Sequence, residues 1–267
     1  MSSYKPVTAA LRVLDVLAAV NRLDGDGSVG DIHHQTGIDK STIVRMLQTL
    51  ESAGYVVRKP DRPSYGVTGK TLVLSASFDR QKAMCDALSP FLNAFREEIG
   101  WPSDIAVFDH DAMVVIETSR HSGPLSFNRT PGYRAPLLGT SLGLVYVANS
   151  SIAHRNEIRQ ASASIDEPWN KFAQDEKTFH TRMDEIRKLG FATMDPEYSK
   201  REYRNKVASI GVPIFRDGIV IATINTIYLK QVMTANDAKE TLLPKLLLVA
   251  WEMGKKLQEQ KSCNEES

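Results

Sequence analysis

Residues 37–56 read GIDKSTIVRMLQTLESAGYV, and this stretch decides how the chain is built. Asp39 or Ser41 is placed to cap a helix, Ile43, Met46, Leu47 and Leu50 recur at the three-to-four spacing of one buried face, and Gly54 supplies the stop. Thr42, Arg45, Gln48 and Thr49 fall on the other faces. Upstream, Ser28 can cap a two-turn helix over 29–35 that Thr36-Gly37-Ile38 interrupts. Earlier still, Pro6 to Val20 carries Val7, Leu11, Leu14, Leu17 and Val20 along one helical stripe, with Thr8 as its cap. Downstream, Tyr55-Val56-Val57 and Tyr65-Gly66-Val67 flank a two-proline turn and read as a β-wing. Two helices joined by a tight glycine turn and followed by a wing form a winged helix-turn-helix, which lays its second helix in the DNA major groove.

The charge is local. The whole chain of 267 residues has a net charge of +1, so it is no polycation, yet Lys40, Arg45, Arg58, Lys59, Arg62 and Lys70 face only Glu51 and Asp61 within this short region. Phosphate contact needs such an excess. Lys40, Ser41, Thr42, Arg45 and Gln48 are the candidate residues on the reading helix, where an arginine can donate twice to guanine. Arg58, Lys59 and Arg62 are placed to grip phosphates, which positions the domain without reading sequence. Any one of them also reads as ordinary solvated surface; the ensemble carries the reading. The two cysteines, Cys85 and Cys263, demand no disulfide, no charged leader opens the sequence, and no apolar run approaches the roughly 20 residues of a bilayer crossing. The expected protein lives in the cytoplasm and has no membrane partner.

Beyond the wing, residues 70–100 are helix-compatible, with Leu72, Leu74, Ala76, Leu88, Phe91, Leu92, Phe95 and Ile99 as apolar stripes and Pro90 as an interruption. The pattern alone leaves open whether this linker helix packs on its own domain or on a second copy. Strand-like runs follow at 105–108, 113–117, 125–127, 206–215 and 219–228, the last two joined across Arg216-Asp217-Gly218 as a hairpin. Helices over 176–189 and 235–260 are expected to cover one face of the resulting sheet, giving an α+β domain. Gly139-Thr140-Ser141-Leu142-Gly143 matches the loose pattern of a hydrolase nucleophile elbow, with Asp175 and His180 downstream. A true elbow needs a strand-to-helix turn in a large parallel sheet, and the alternation that would build one is missing. The same residues read better as the start of an apolar helix over 142–148, whose amides and hydroxyls can hold a carboxylate, with Arg134 as a possible bidentate partner. Phe127, Leu142 and Trp101 would suit the walls of an aromatic pocket. No zinc spacing, Walker sequence or dinucleotide fingerprint is present, so neither metal nor cofactor is expected.

Residues 37–56, together with Arg134-Ala135-Pro136-Leu137-Leu138-Gly139-Thr140-Ser141-Leu142-Gly143, Gly190-Phe191-Ala192 and Val207-Ala208-Ser209-Ile210-Gly211-Val212-Pro213, resemble the IclR-type bacterial transcriptional regulators over essentially the whole chain. Trp101-Pro102-Ser103-Asp104, Asp111 to Val115, Leu125-Ser126-Phe127 and Ile227-Tyr228-Leu229 are most similar to the MhpR-like activators of hydroxyphenylpropionate catabolism. The resemblance implies a winged helix-turn-helix over 5–76, then a linker helix and a GAF-like antiparallel-sheet effector domain over 77–262. It implies an effector pocket at the start of the 142–148 helix, with Arg134, Thr140, Ser141, Leu142, Asp195, Ser209 and Asn225 as its candidate residues. The implied partners are double-stranded promoter DNA, a small aromatic carboxylate, further copies of the chain as a homodimer or dimer of dimers, and RNA polymerase. The implied protein is a regulator, an activator by sign, and no enzyme. Two rival readings stand beside it: a hydrolase centred on Ser141, and a DNA-binding protein whose second domain only oligomerises.

Overall fold

The computed structural model describes residues 6–23, 26–118 and 131–265. The strand expected at 125–127, and with it the pocket wall assigned to Phe127, lies outside the described residues. The chain divides into two compact units at Arg80/Gln81.

In the first unit, helix α1 spans Thr8–Arg22, and Thr8 is its first helical residue rather than its cap, because Val7 holds the extended cap position. Its buried residues are Val16, Ala19 and Val20, while Leu11 and Leu14 of the expected stripe stay 51% and 59% exposed. A short strand β1, Gly27–Ser28, leads into α2, Val29–Thr36, where Ser28 and Asp31 form a reciprocal capping box. Gly37 ends α2 in the left-handed region at φ 68°, a conformation glycine adopts without a Cβ penalty. The turn is tied by His33, whose Nδ1 lies 2.7 Å from the Ile38 carbonyl. Helix α3, Lys40–Ser52, is capped by Asp39 and buries Ile43, Met46, Leu47 and Leu50. Strands β2, Val56–Arg58, and β3, Ser64–Val67, form the wing, with β1 as a third strand in the order β1-β3-β2. One core joins Val16, Val20, Ile32, Ile43, Leu47 and Val56; burying each such side chain is worth about 1.5–3 kcal/mol.

The expected linker helix is two elements: a 3₁₀ segment, Gly69–Phe78, and then α4, Asp79–Ile99. Helix α4 runs through Pro90 rather than stopping there. Pro90 and Asp86, whose carbonyl it leaves without an amide partner, are both exposed.

The second unit continues with β4, Ser103–Asp109, β5, Ala112–Thr118, and β6, Arg134–Pro136. Helices α5, Ser141–Asn149, and α6, Ile152–Ala163, follow, then a 3₁₀ segment and α7, Glu176–Leu189. The chain returns through β7, Ala192–Thr193, α8, Pro196–Tyr203, β8, Val207–Arg216, and β9, Ile219–Leu229. Two helices close it, α9, Ala235–Thr241, and α10, Leu243–Glu265. The expected single helix over 235–260 is broken because Pro244 fits the first turn of a helix but not its interior. The strands form one antiparallel sheet in the order β6-β5-β4-β9-β8-β7. Asp217 and Gly218, at φ 53° and 74°, make the tight β8–β9 turn.

The sheet is covered on both faces, not one. Ala106, Met113, Val115, Val207 and Ile227 pack with Leu142, Val145, Phe179 and Tyr198 beneath α5, α7 and α8. Their strand neighbours of opposite parity, Ile105, Val107, Ile116, Val212 and Ile224, pack with Leu88, Leu92, Leu246 and Met253 of α4 and α10. Period-two alternation of side chains sorts these residues, and both sets are apolar because helices lie on both sides.

Candidate DNA-binding face and effector site

Helix α3 separates its two faces cleanly. While Ile43, Met46, Leu47 and Leu50 hold the core, Lys40, Ser41, Arg45 and Gln48 are exposed and Thr42 is half-buried. Asp39 accepts from the amides of Ser41 and Thr42 at 3.0 and 3.4 Å and from the Ser41 hydroxyl. The Ser41 hydroxyl, then the two amides, hold the Asp39 carboxyl below its ordinary value. That cap occupies the Ser41 and Thr42 amides of the first turn of α3. Arg12 of α1 lines the same groove as Thr42, Arg45, Gln48 and Thr49, a cation the sequence pattern gave no reason to single out.

The wing is less free than its composition implies. Arg58 and Lys59 are exposed, with no ion pair among the described residues, but Arg62 donates to Asp26 at 2.5 Å. Asp26 also accepts from Ser64 at 2.6 Å, which, ahead of Arg62, lowers its pKa. Strand β1 brings Asp26 to the wing, a pairing that so short a strand leaves unannounced in the sequence. Lys70 donates to the Ala53 carbonyl at 2.7 Å and lies over the Tyr55 ring, so it supports the end of α3.

In the second unit the strands bring four of the candidate pocket residues together under the start of α5. Thr140 caps α5 by accepting from the Gly143 amide at 3.1 Å. Ser141 Oγ lies 2.7 Å from Ser209 Oγ. Asn225 is next, because Gly211 on β8 pairs with Asn225 on β9, and Asn225 in turn pairs with Asp104 on β4. Asn225 Oδ1 accepts from the Asp104 amide at 3.0 Å, and Asp104 Oδ1 accepts from Thr118 at 2.8 Å. Ser141, Ser209, Asn225, Asp104 and Thr223 are all at most 1% exposed. Polar groups so deeply buried are costly unless used, and the Thr223 hydroxyl has no hydrogen-bond partner among the described residues. Asp104 and Thr223 escaped the sequence reading, although polar residues on the same parity of two apolar strands were the available signal.

Leu142 is fully buried in the core beneath α5. Asp195 caps α8 and pairs with Arg182 at 3.0 Å, while its own amide donates to the Gly139 carbonyl. Arg134 is a correction to the expected carboxylate anchor. It lies on edge strand β6, four strands from Ser209 or about 19 Å along the sheet. Its guanidinium donates to Asp109 and Asp111 at 2.5 Å each; Asp109, foremost, raises the Arg134 pKa, and Arg134 lowers that of Asp109. Trp101 packs edge-on against Tyr228 in a separate small cluster.

The hydrolase constellation does not assemble. Asp175 caps α7 through the Thr178 amide at 2.7 Å, and His180 Nε2 lies 2.9 Å from Asn156 Oδ1. Neither is bonded to Ser141 among the described residues, and the Ser141 hydroxyl lies instead against that of Ser209. The Cys85 thiol donates to the Ile116 carbonyl, and burial, then Glu117 and Asp86, push its pKa up to about 11. No described helix is long and apolar enough to cross a membrane.

The first unit thus defines a winged-helix DNA-binding head, and the second an α+β domain with a buried polar site. Residues 9–60 match the IclR helix-turn-helix domain, and residues 80–253 match the bacterial transcriptional regulator IclR C-terminal domain. The chain belongs to the IclR family of bacterial transcriptional regulators, whose members are regulators rather than enzymes. It is 23% identical to the Pca regulon regulatory protein of Pseudomonas putida over 90% of this chain and 81% of that one. It is also 23% identical to the regulator KdgR of Escherichia coli over 82% of this chain and 81% of that one. An IclR homologue from Microbacterium hydrocarbonoxydans, solved with 4-hydroxybenzoate, shares the fold with a TM-score of 0.66, 18% identity and coverage of 94% and 99%. The IclR of Thermotoga maritima gives a TM-score of 0.65 at 19% identity over 95% and 100%.

Proposed function

We propose that this regulator is an activator of genes for aromatic-acid catabolism, working in the cytoplasm as a homodimer or dimer of dimers and answering to a small aromatic carboxylate. The observation that carries the reading is the convergence of Thr140, Ser141, Ser209 and Asn225 under the start of α5, where first-turn amides without intrahelical acceptors can meet a carboxylate. The reading is supported by two relatives whose names speak of the Pca regulon and of bound 4-hydroxybenzoate. Asp195 borders the site through Gly139, and Leu142 forms its apolar roof; Arg134 is left out because two aspartates hold it. The exposed Leu11 and Leu14 of α1 supply an apolar stripe for a second copy. RNA polymerase is the expected partner of an activator.

The mechanism is linkage. A ligand that favours one arrangement of the paired heads shifts DNA affinity by its differential binding, and roughly 1–3 kcal/mol of coupling suffices. The test is a thermal-shift series with hydroxylated phenylpropionates, cinnamates and benzoates, followed by DNA titration. A ligand at about a hundred times its Kd should stabilise the protein by about 2.7 kcal/mol, and Ser209→Ala should reduce the shift that the site under α5 contributes. If no aromatic acid moves either melting temperature or DNA affinity, the domain serves oligomerisation instead.

On the DNA side, Lys40, Ser41, Thr42, Arg45 and Gln48 are assigned to reading and Arg58, Lys59 and Arg62 to the backbone, with Arg62 first having to leave Asp26. Arg58→Ala with Lys59→Ala should weaken binding alike on specific and random duplexes. The slope of log affinity against log salt should become shallower by about 2. A slope unchanged from that of the native protein would remove both residues from the phosphate contacts.

A further inference from the structure

A groove of about 800 Å³ opens where α10 passes the β8–β9 turn and the end of α7. Trp251 and Phe215, 61% and 43% exposed, form its aromatic walls. Its concavity depends on Gly254, where a Cβ would lie 2.4 Å from the Phe215 carbonyl oxygen; glycine alone lets α10 lie that close to the strand. Strand β7 pairs with β8 only at Ile210 and Gly211, yet the free edge beyond is a poor template for another strand. Pro213 has no amide to offer there, and Gly254 of α10 closes on the Phe215 carbonyl oxygen.

Three cations line this groove. Arg187 stands in the last turn of α7, Arg216 ends β8, and Lys255 lies over the Trp251 ring at 4.7 Å from its centroid. Arg187 and Arg216 make no ion pair among the described residues. The volume falls within the roughly 300–1,000 Å³ of small-molecule sites, and such sites combine apolar walls with a few placed polar groups. The forked guanidinium matches a carboxylate in two parallel hydrogen bonds, and aromatic faces take a planar ring.

We propose that this groove is a second ligand site, which takes a planar aromatic carboxylate with its ring against Trp251 and Phe215 and its carboxylate on Arg187 and Arg216. It is separate from the site under the start of α5. Asn149 lines the groove at the other end of that helix, nine residues or about 13 Å along its axis. The assignment does not depend on the reading of the first site.

The experiment is a titration of the full chain with benzoate, read by tryptophan emission and calorimetry. A saturable emission change is expected that Trp251→Phe removes, and that Arg187→Ala with Arg216→Ala shifts to at least about tenfold higher benzoate, as the loss of charge-assisted hydrogen bonds requires. Ser209→Ala should leave that emission change in place, so failure of the first site is seen separately. Benzamide, which keeps the ring and lacks the charge, should not saturate. The proposal is overturned if benzoate gives no Trp251 signal up to about 10 mM, if the arginine variants or benzamide behave like their counterparts, or if the signal follows protein concentration alone, as it would were a second copy covering the groove.

Discussion

Replacing Arg45 by alanine lowers affinity for the preferred operator by about 1–3 kcal/mol, roughly five- to 150-fold, and leaves affinity for random duplex nearly unchanged. The expectation rests on where the backbone puts this side chain. Arg45 is exposed between the buried Ile43 and Met46, on the face of α3 that carries Gln48 one turn on. It makes no ion pair among the described residues, so nothing in the first unit has to be broken before it reaches a base. Removing it therefore costs the fold little, and the loss appears as reduced discrimination rather than reduced stability. The measurement is fluorescence anisotropy on an operator selected from genomic fragments, with a scrambled duplex beside it. Equal losses on the two duplexes would make Arg45 a phosphate contact and move the reading role elsewhere on α3.

Helix α3 was legible because its apolar residues form one stripe and no second. Helix α1 was not, and the reason is instructive. Val7, Leu11, Leu14, Leu17 and Val20 make one stripe at helical spacing; Val13, Val16 and Val20, with Ala19 beside them, make another that overlaps it. The core took the second, since the small Ala19 permits close approach, and left Leu11 and Leu14 in solvent. A helix with apolar residues to spare does not announce which face its partners require. The hairpin at Asp217-Gly218 was legible for the opposite reason, because few dipeptides tolerate two consecutive left-handed residues. Pairings made by short strands were hidden. Gly27–Ser28 joins the wing through two residue pairs, too few to leave a pattern, and only that pairing brings Asp26 to Arg62. Arg134 shows the limit of proximity in sequence: six residues from Thr140, it is turned away by the edge strand and consumed by Asp109 and Asp111. In the polar site, Ser209 and Asn225 came from resemblance, whereas Asp104 and Thr223 needed the register that sets β4 beside β9.

Gly143→Ala is expected to be the most damaging single methyl group in the second unit. A Cβ at Gly143 would lie 2.2 Å from the Leu137 carbonyl oxygen and 2.4 Å from its Cα, both backbone atoms that no rotamer change can move. Gly139 is constrained from the other side, where a Cβ would meet the Tyr198 ring at 2.9 Å and Trp169 at 3.2 Å. The two glycines that make this pentapeptide look like a nucleophile elbow are therefore there for packing. They let the chain turn back on Leu137 and seat Thr140 and Ser141 at the start of α5. Overpacking typically costs about 1–3 kcal/mol and more where backbone must give. A loss of about 3 kcal/mol corresponds to roughly 6–12 °C in the melting temperature of a unit of this size. Calorimetry of the full chain should show that fall, with DNA binding by the first unit retained at low temperature. Gly139→Ala should cost less, because aromatic side chains can shift where backbone cannot. Ser141→Ala is the control that separates packing from chemistry: it keeps both glycines, so the melting temperature should fall far less than for Gly143→Ala. If instead Gly143→Ala folds as stably as the native chain, α5 does not pack on Leu137 as described, and the placement of Ser141 against Ser209 goes with it.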